Sequence, residues 1–206
     1  TMEEFIENLS GSIYEKPIKK VSLLENPNLF DYEMTLDLFF FNYIWNHMND
    51  FVPKGEKKYF INIFGTQVDL LNILWIYRMK HYYTVTNSQI YSFLIPINCN
   101  LDHTTIKDFV EAESDDIFFQ TLDTCYYGRV YGFNHVDDLE TQFGGILNEI
   151  YTKDFKESPY SLACINAYLH LKNLEVAKVV TAMECIRYGY KPDAISHYIN
   201  RKKGVL

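Results

Sequence analysis

Asp69 and Asn72 are the only polar residues between Val68 and Tyr77, inside the apolar stretch 60–81, FINIFGTQVDLLNILWIYRMKH. Three apart, they share a helix face. A carboxylate in such surroundings is costly unless it is paired and hydrogen-bonded. The two therefore read as a satisfied structural pair or as a contact offered to a partner. Arg78 is nine residues on, roughly 13 Å along a helix axis, so Asp69 needs a partner from another segment. Glu175 and Lys178 stand at the same spacing in a second apolar stretch, 160–189, YSLACINAYLHLKNLEVAKVVTAMECIRYG. For them an intrahelical ion pair is the simpler alternative.

Asp137, Asp138 and Glu140 could in principle serve as acid and base. They fall in a first helical turn, where acids are favoured anyway, and no nucleophile or partner base accompanies them. The cysteines Cys99, Cys125, Cys164 and Cys185 lack zinc-motif spacing. They read as free, buried thiols in a reducing compartment. The histidines His47, His81, His103, His135, His170 and His197 form no i, i+4 pair and no HExxH motif. Gly144-Gly145 lacks the strand and the Lys-Ser/Thr of a phosphate loop. The residues thus predict no catalytic group, no cofactor and no metal.

What must position the polar pairs is a set of helices. The stretches 57–81 and 158–188 are apolar nearly all round, which predicts central helices inside a bundle. Shorter helices are predicted over 2–9, 14–20 and 86–94, the last with a Thr86–Gln89 capping box. Asp102 caps a helix to 111 and Ser114 opens one to 122, with a short piece over 125–130. Longer helices are expected over 30–50 and 137–154, the second kinked or closely crossed at Gly144-Gly145. Ser158-Pro159 reads as the cap and first position of the second central helix, Gly189 as its stop. A last helix runs from about 191 to 200, before a solvated Arg201-Lys202-Lys203 tail. No segment alternates with strand period, so the fold is all-α.

Composition agrees with a packed core. Apolar residues make up 48% of 206, with 17 Tyr and 15 Phe. Phe39-Phe40-Phe41, Tyr43 and Trp45 are expected between neighbouring helices, with at least one Phe pointing elsewhere. The net charge of −8 opposes a nucleic-acid binder, which needs a basic face, and suits a basic protein partner. No signal or transit segment is visible, and no run of about 18 uncharged apolar residues predicts a membrane span. Thr1 ahead of Met2 reads as a cloning remnant.

The order of elements recurs. Phe5…Leu9-x-x-Ser12-x-Tyr14 echoes Phe118…Leu122-x-x-Cys125-x-Tyr127, and Glu33-x-x-Leu36-x-x-x-Phe40 echoes Glu140-x-x-Phe143-x-x-x-Leu147. Asp69-x-x-Asn72-Ile73 echoes Glu175-x-x-Lys178-Val179, and Ile90-x-x-Phe93-Leu94 echoes Ile195-x-x-Tyr198-Ile199. The offset drifts from 113 (Phe5 to Phe118) to 105 (Ile90 to Ile195). Two pseudo-repeated helical-bundle units are therefore expected, 1–101 and 102–206. The first lacks a counterpart of the helix after Asp102, as if the chain began mid-unit.

Several of these stretches resemble the C-subunit family of V-type and A-type rotary ATPases (ATP synthases), equivalent to the d subunit of eukaryotic V-ATPases. LSGSIY and LDTCYYG are similar to its Leu-x-x-Thr-x-Tyr(-Gly) motif, and FDYEMTLDLFFFNYIW to its acidic, aromatic Glu-x-x-x-Asp helix. VDLLNILWIYRMKHYYTVTNSQIYSFLIP is similar to its Asp-x-x-Asn-Ile…Arg helix and Leu-Ile-Pro turn. The final long stretch is similar to its Tyr-Leu-x-x-Lys-x-x-Glu helix. Ile97-Asn98-Cys99 departs from the family's Gly after Leu-Ile-Pro, and Lys178 stands where Asn is usual. Members also run longer, with a third, N-terminal unit.

The resemblance implies a funnel of three-helix units on the cytoplasmic face of a membrane rotor ring. The shaft subunits enter its socket, and shaft rotation is coupled to the ring without chemistry in the funnel itself. Asp69, Asn72, Glu175 and Lys178 would then line the socket wall. Without the resemblance, the residues support only an acidic all-α scaffold that binds another protein through a concave face.

Overall fold

A computed structural model describes residues 1–83, 85–134 and 138–200; His135, Asp137 and the 201–203 basic tail, all named above, lie outside these. Every regular element among the described residues is a helix. The order is α1 (Met2–Asn8), α2 (Glu15–Ser22), α3 (Leu29–Phe51), α4 (Lys57–His81), α5 (Asn87–Phe93) and α6 (His103–Glu111). Then follow α7 (Asp115–Thr124), α8 (Tyr126–Tyr131), α9 (Leu139–Glu157), α10 (Leu162–Arg187) and α11 (Pro192–Asn200). Two short helices, two long ones and a short one come twice, with α6 between them.

The helix starts are chemically written. Asn28 and Asp31 cap α3 reciprocally, and Thr86 with Gln89 does the same for α5. Asp102, Ser114 and Asp138 each accept a backbone N–H in the first turn of α6, α7 and α9. Gly189, at φ 74°, ends α10 as a left-handed residue that costs glycine least.

α4 is the hub. Ile63, Leu70, Ile73 and Ile76 join Phe109 of α6, Phe118 and Leu122 of α7, Tyr127 of α8, and Phe143 and Leu147 of α9 in one core. Phe64, Val68 and Leu71 meet Phe41 of α3 in a second, smaller one. A third cluster ties α2 to α3 through Ile18, Val21 and Tyr32. By length and composition α4 could cross a bilayer, but the qualifying window is 67% buried in the fold. It is a core helix.

The consecutive phenylalanines split as their spacing requires. Phe41 is buried against Phe64, Phe39 meets Tyr14 edge-on, and Phe40 is exposed.

Three expectations need correction. α10 is not central: only Ala163, Ala167 and Cys185 are buried, because α9 and α11 pack along one side of it and its outer face stays exposed. Its cap is Ser161, not Ser158, which instead closes α9 with its N–H on the Asp154 carbonyl. α9 is helical through Gly144 and Gly145, as expected; the first is buried and the second faces open space. Finally, Cys125 and Cys185 are buried, but Cys99 and Cys164 are only partly so.

Candidate functional site: a buried clamp and an open helix face

Asp69 and Asn72 point inward from α4 and are both fully buried. Asp69 accepts the backbone N–H groups of Cys99 at 3.1 Å and Asn100 at 2.7 Å. The Tyr127 hydroxyl of α8 donates to its Oδ2 at 2.8 Å. Asn72 holds the Ile95 backbone in both directions: Oδ1 accepts its N–H at 2.9 Å and Nδ2 donates to its C=O at 3.0 Å. The partner that Asp69 required is thus the 95–100 loop plus one phenol. Burial outweighs these hydrogen bonds and raises the Asp69 carboxyl above the ordinary range. Burial, then the Asp69 charge, pushes the Tyr127 hydroxyl up as well, so it stays a donor. The arrangement locks a loop and α8 onto α4. It leaves no open position for a substrate.

The same clamp explains two small residues. A Cβ on Gly65 would lie 2.5 Å from Cys99 Sγ, so the loop seats directly on α4 there. A Cβ on Gly128 would lie 2.1 Å from the Leu122 carbonyl oxygen, so only glycine fits the α7–α8 turn. The LDTCYYG motif is this turn.

The remaining candidates fall elsewhere. Arg78 pairs with Glu140 across α4 and α9, both about half exposed. Asp138 caps α9 through Thr141. Glu175 pairs with Lys172 at 2.6 Å on the surface of α10, not with Lys178, which is exposed. The structure therefore brings Asp69 and Asn72 together and leaves Arg78, Glu175 and Lys178 apart. Among the described residues no cluster of three or more His, Cys, Asp or Glu could hold a metal ion.

The open surface lies along α10. Glu56, at the foot of α4, accepts the Leu162 N–H at 3.1 Å and ties the two helices at one end. Beyond that tie a groove runs between them. One depression of about 230 Å3 is bordered by Phe60, Ile63, Leu162 and Ala163; a second, of about 430 Å3, by Gln67, Tyr151, His170 and Asn173. Asn166 borders both. His170 stacks on Tyr151 with ring centroids 4.0 Å apart, and burial lowers its pKa.

Residues 1–198 match the family described as ATP synthase (C/AC39) subunit. The chain belongs to this family. Its all-helical architecture is that of the C/AC39 fold. Among its relatives, the A-type ATP synthase C subunit of Pyrococcus abyssi is 26% identical over 97% of this chain and 55% of its own length. The C subunits of Pyrococcus furiosus and Methanosphaera stadtmanae are 23% and 22% identical, over 97% and 85% of this chain and 55% and 48% of theirs. The chain spans about half the length of these C/AC39 relatives.

One feature was written in the sequence and not read there. From Leu162 to Ile186 every third or fourth residue of α10 is apolar, except Lys172. These apolar residues are between 46% and 66% exposed. The alternating 3–4 spacing of these residues is the signal for that face, within a helix that is apolar nearly all round.

Proposed function

We propose that the chain is part of a non-catalytic central-stalk rotor subunit of a V/A-type ATPase. It couples shaft rotation to the membrane rotor ring, on the cytoplasmic side, for ATP-linked ion transport. Membership of the C/AC39 family carries this reading. The helix geometry adds support: beside the hydrogen-bonded α4 clamp, two depressions along α10 open on the surface of the fold. Units 1–101 and 102–206 are read as two repeats of the coupling body. Asp69 and Asn72 serve by holding the body stiff, whereas Asn166 and Asn173 lie where a shaft subunit would rest.

The test is binding of purified shaft subunits to the full-length protein carrying this chain. Asn173→Arg, at an exposed position, fills the groove with bulk and charge and leaves the Asn166 bond to the core Tyr151 intact. A loss of affinity of about ten-fold or more with unchanged helix content is expected. No association of the unsubstituted protein with shaft or ring would refute the reading.

A further inference from the structure

The Tyr127 hydroxyl joins one repeat to the other. It belongs to α8, near the start of unit 102–206, and donates to Asp69 on the central helix of unit 1–101. Tyr14 stands at the matching place near the start of the first unit: Leu9-x-x-Ser12-x-Tyr14 repeats Leu122-x-x-Cys125-x-Tyr127. The two turns are built alike. Ser12 Oγ donates to the Leu9 carbonyl at 2.7 Å, and Cys125 Sγ donates to the Leu122 carbonyl at 3.1 Å. Each tyrosine then opens the next short helix, Tyr14 as the cap of α2 and Tyr127 in the first turn of α8. The turns differ next to the tyrosine, where Glu15 stands in place of Gly128 and accepts the Gly11 N–H.

Their surroundings differ more. Tyr127 is fully buried, whereas Tyr14 is half-buried. The Tyr14 ring rests edge-on against Phe39, with centroids 5.4 Å apart, and its hydroxyl has no hydrogen bond among the described residues. We propose that Tyr14 forms a second link of the same kind: in the full-length protein its hydroxyl donates to a buried carboxylate on the central helix of a helical unit that precedes this chain. The link rests on the two-repeat reading of the chain and not on the coupling function.

Direction and room support it. In the observed link the acid lies in the earlier unit and the phenol 58 residues later, so the acid for Tyr14 belongs ahead of it. Within the chain the two acids at that helix position are taken. Asp69 holds Tyr127 and two backbone N–H groups, and Glu175 pairs with Lys172. The Pyrococcus abyssi C subunit is matched over 55% of its own length, so a protein of that size has room for a third unit. A tyrosine suits the boundary, since its ring packs on an apolar neighbour while its hydroxyl reaches across to an acceptor. An ionised acceptor makes that bond stronger than a neutral one.

Tyr14→Phe tests the hydroxyl alone, because the ring on Phe39 is kept. In the full-length protein it should lower the urea midpoint about as much as Tyr127→Phe does. In the 206-residue chain it should leave the midpoint unchanged, while Tyr127→Phe still lowers it. A photo-reactive p-benzoylphenylalanine in place of Tyr14 of the full-length protein, irradiated and mapped by peptide mass, should cross-link to residues that precede this chain. An Asp or Glu within one helical turn of that cross-link, changed to its amide, should leave Tyr14→Phe with no further effect in a double-mutant cycle. The proposal is overturned by a cross-link confined to residues 1–206 or to another polypeptide, or by the lack of an acid beside it. An unchanged midpoint for Tyr14→Phe in the full-length protein, or additive losses in the cycle, overturns it equally. Shaft binding is a separate readout: its absence refutes the coupling reading and leaves the Tyr14 link standing.

Discussion

The clamp at Asp69 makes the sharpest claim about the body of the fold, and three substitutions grade it. Asp69→Ala strands three donors at once: the Cys99 and Asn100 N–H groups and the Tyr127 hydroxyl. Removing one side of a buried polar set costs roughly 3–5 kcal/mol. Asp69→Asn keeps the volume and one acceptor but points an NH2 at a backbone N–H. One unsatisfied donor is worth roughly 1–3 kcal/mol, part of it offset because a buried charge is gone. Tyr127→Phe leaves both backbone bonds and removes only the phenol, about 1–2 kcal/mol. Urea unfolding followed by circular dichroism should therefore rank Ala as worst, Asn next and Phe mildest. At an m-value of about 2–3 kcal/mol/M, the Ala midpoint falls by roughly 1–2.5 M. The pH dependence gives an independent check. Burial raises the folded carboxyl above its unfolded value of about 3.9, so the native state holds that proton more tightly. Its contribution is greatest below about pH 4 and is lost as pH rises through the folded pKa. Asp69→Asn should lack that decline. An Asp69→Ala loss below about 1 kcal/mol, or an unchanged pH profile for Asp69→Asn, would show that the loop is held by packing alone.

Four further outcomes follow from local geometry. Gly65→Ala should destabilise by about 1–3 kcal/mol through its clash with the Cys99 side chain, and Cys99→Gly in the same chain should recover most of it in a double-mutant cycle. Gly128→Ala meets backbone oxygen, which cannot step aside, so expression of a soluble folded chain should fail or its melting point drop well beyond that of Gly65→Ala. Burial holds the His170 pKa below its unfolded value of about 6.5; stability should fall as pH drops below about 6.5, and urea midpoints of His170→Phe at about pH 5 and 7.5 should lack that part of the acid loss. Arg78→Ala removes a half-exposed pair with Glu140 and should change stability by less than about 1 kcal/mol in the same assay, the usual worth of such pairs.

The legible part of the fold was the part whose cause is local. Asp102, Ser114 and the Thr86–Gln89 box fixed helix starts because a cap is a contact within four residues. Gly189 fixed a stop because a left-handed residue is needed at one point. The helix Lys57–His81 has the bounds that its apolar pattern predicts, and Asp69 needs a partner from elsewhere, as its surroundings require. That this partner would be the 95–100 backbone and Tyr127 was not legible, since it joins segments 30 and 58 residues away through main-chain donors that every residue carries. Likewise Ser158 and Ser161 are both sound caps by type, and only the packing of α9 decides which opens α10.

The error over α10 is the more instructive, because the same rule succeeded for α4. An apolar circumference reports that a helix avoids water; it does not report which molecule provides the cover. For α4 the cover is α6, α7, α8 and α9 of the same chain, and Leu70 and Ile73 are fully buried. At the corresponding places on α10, by the Asp69-to-Glu175 offset, Val176 and Val179 are more than half exposed. Two helices of nearly equal length and the same apolar character thus differ in burial because described helices surround α4, whereas α9 and α11 are the main cover of α10. The contrast separates two meanings of one pattern: apolar residues all round a helix mark where water is unfavourable, and only the neighbouring elements decide whether it is excluded.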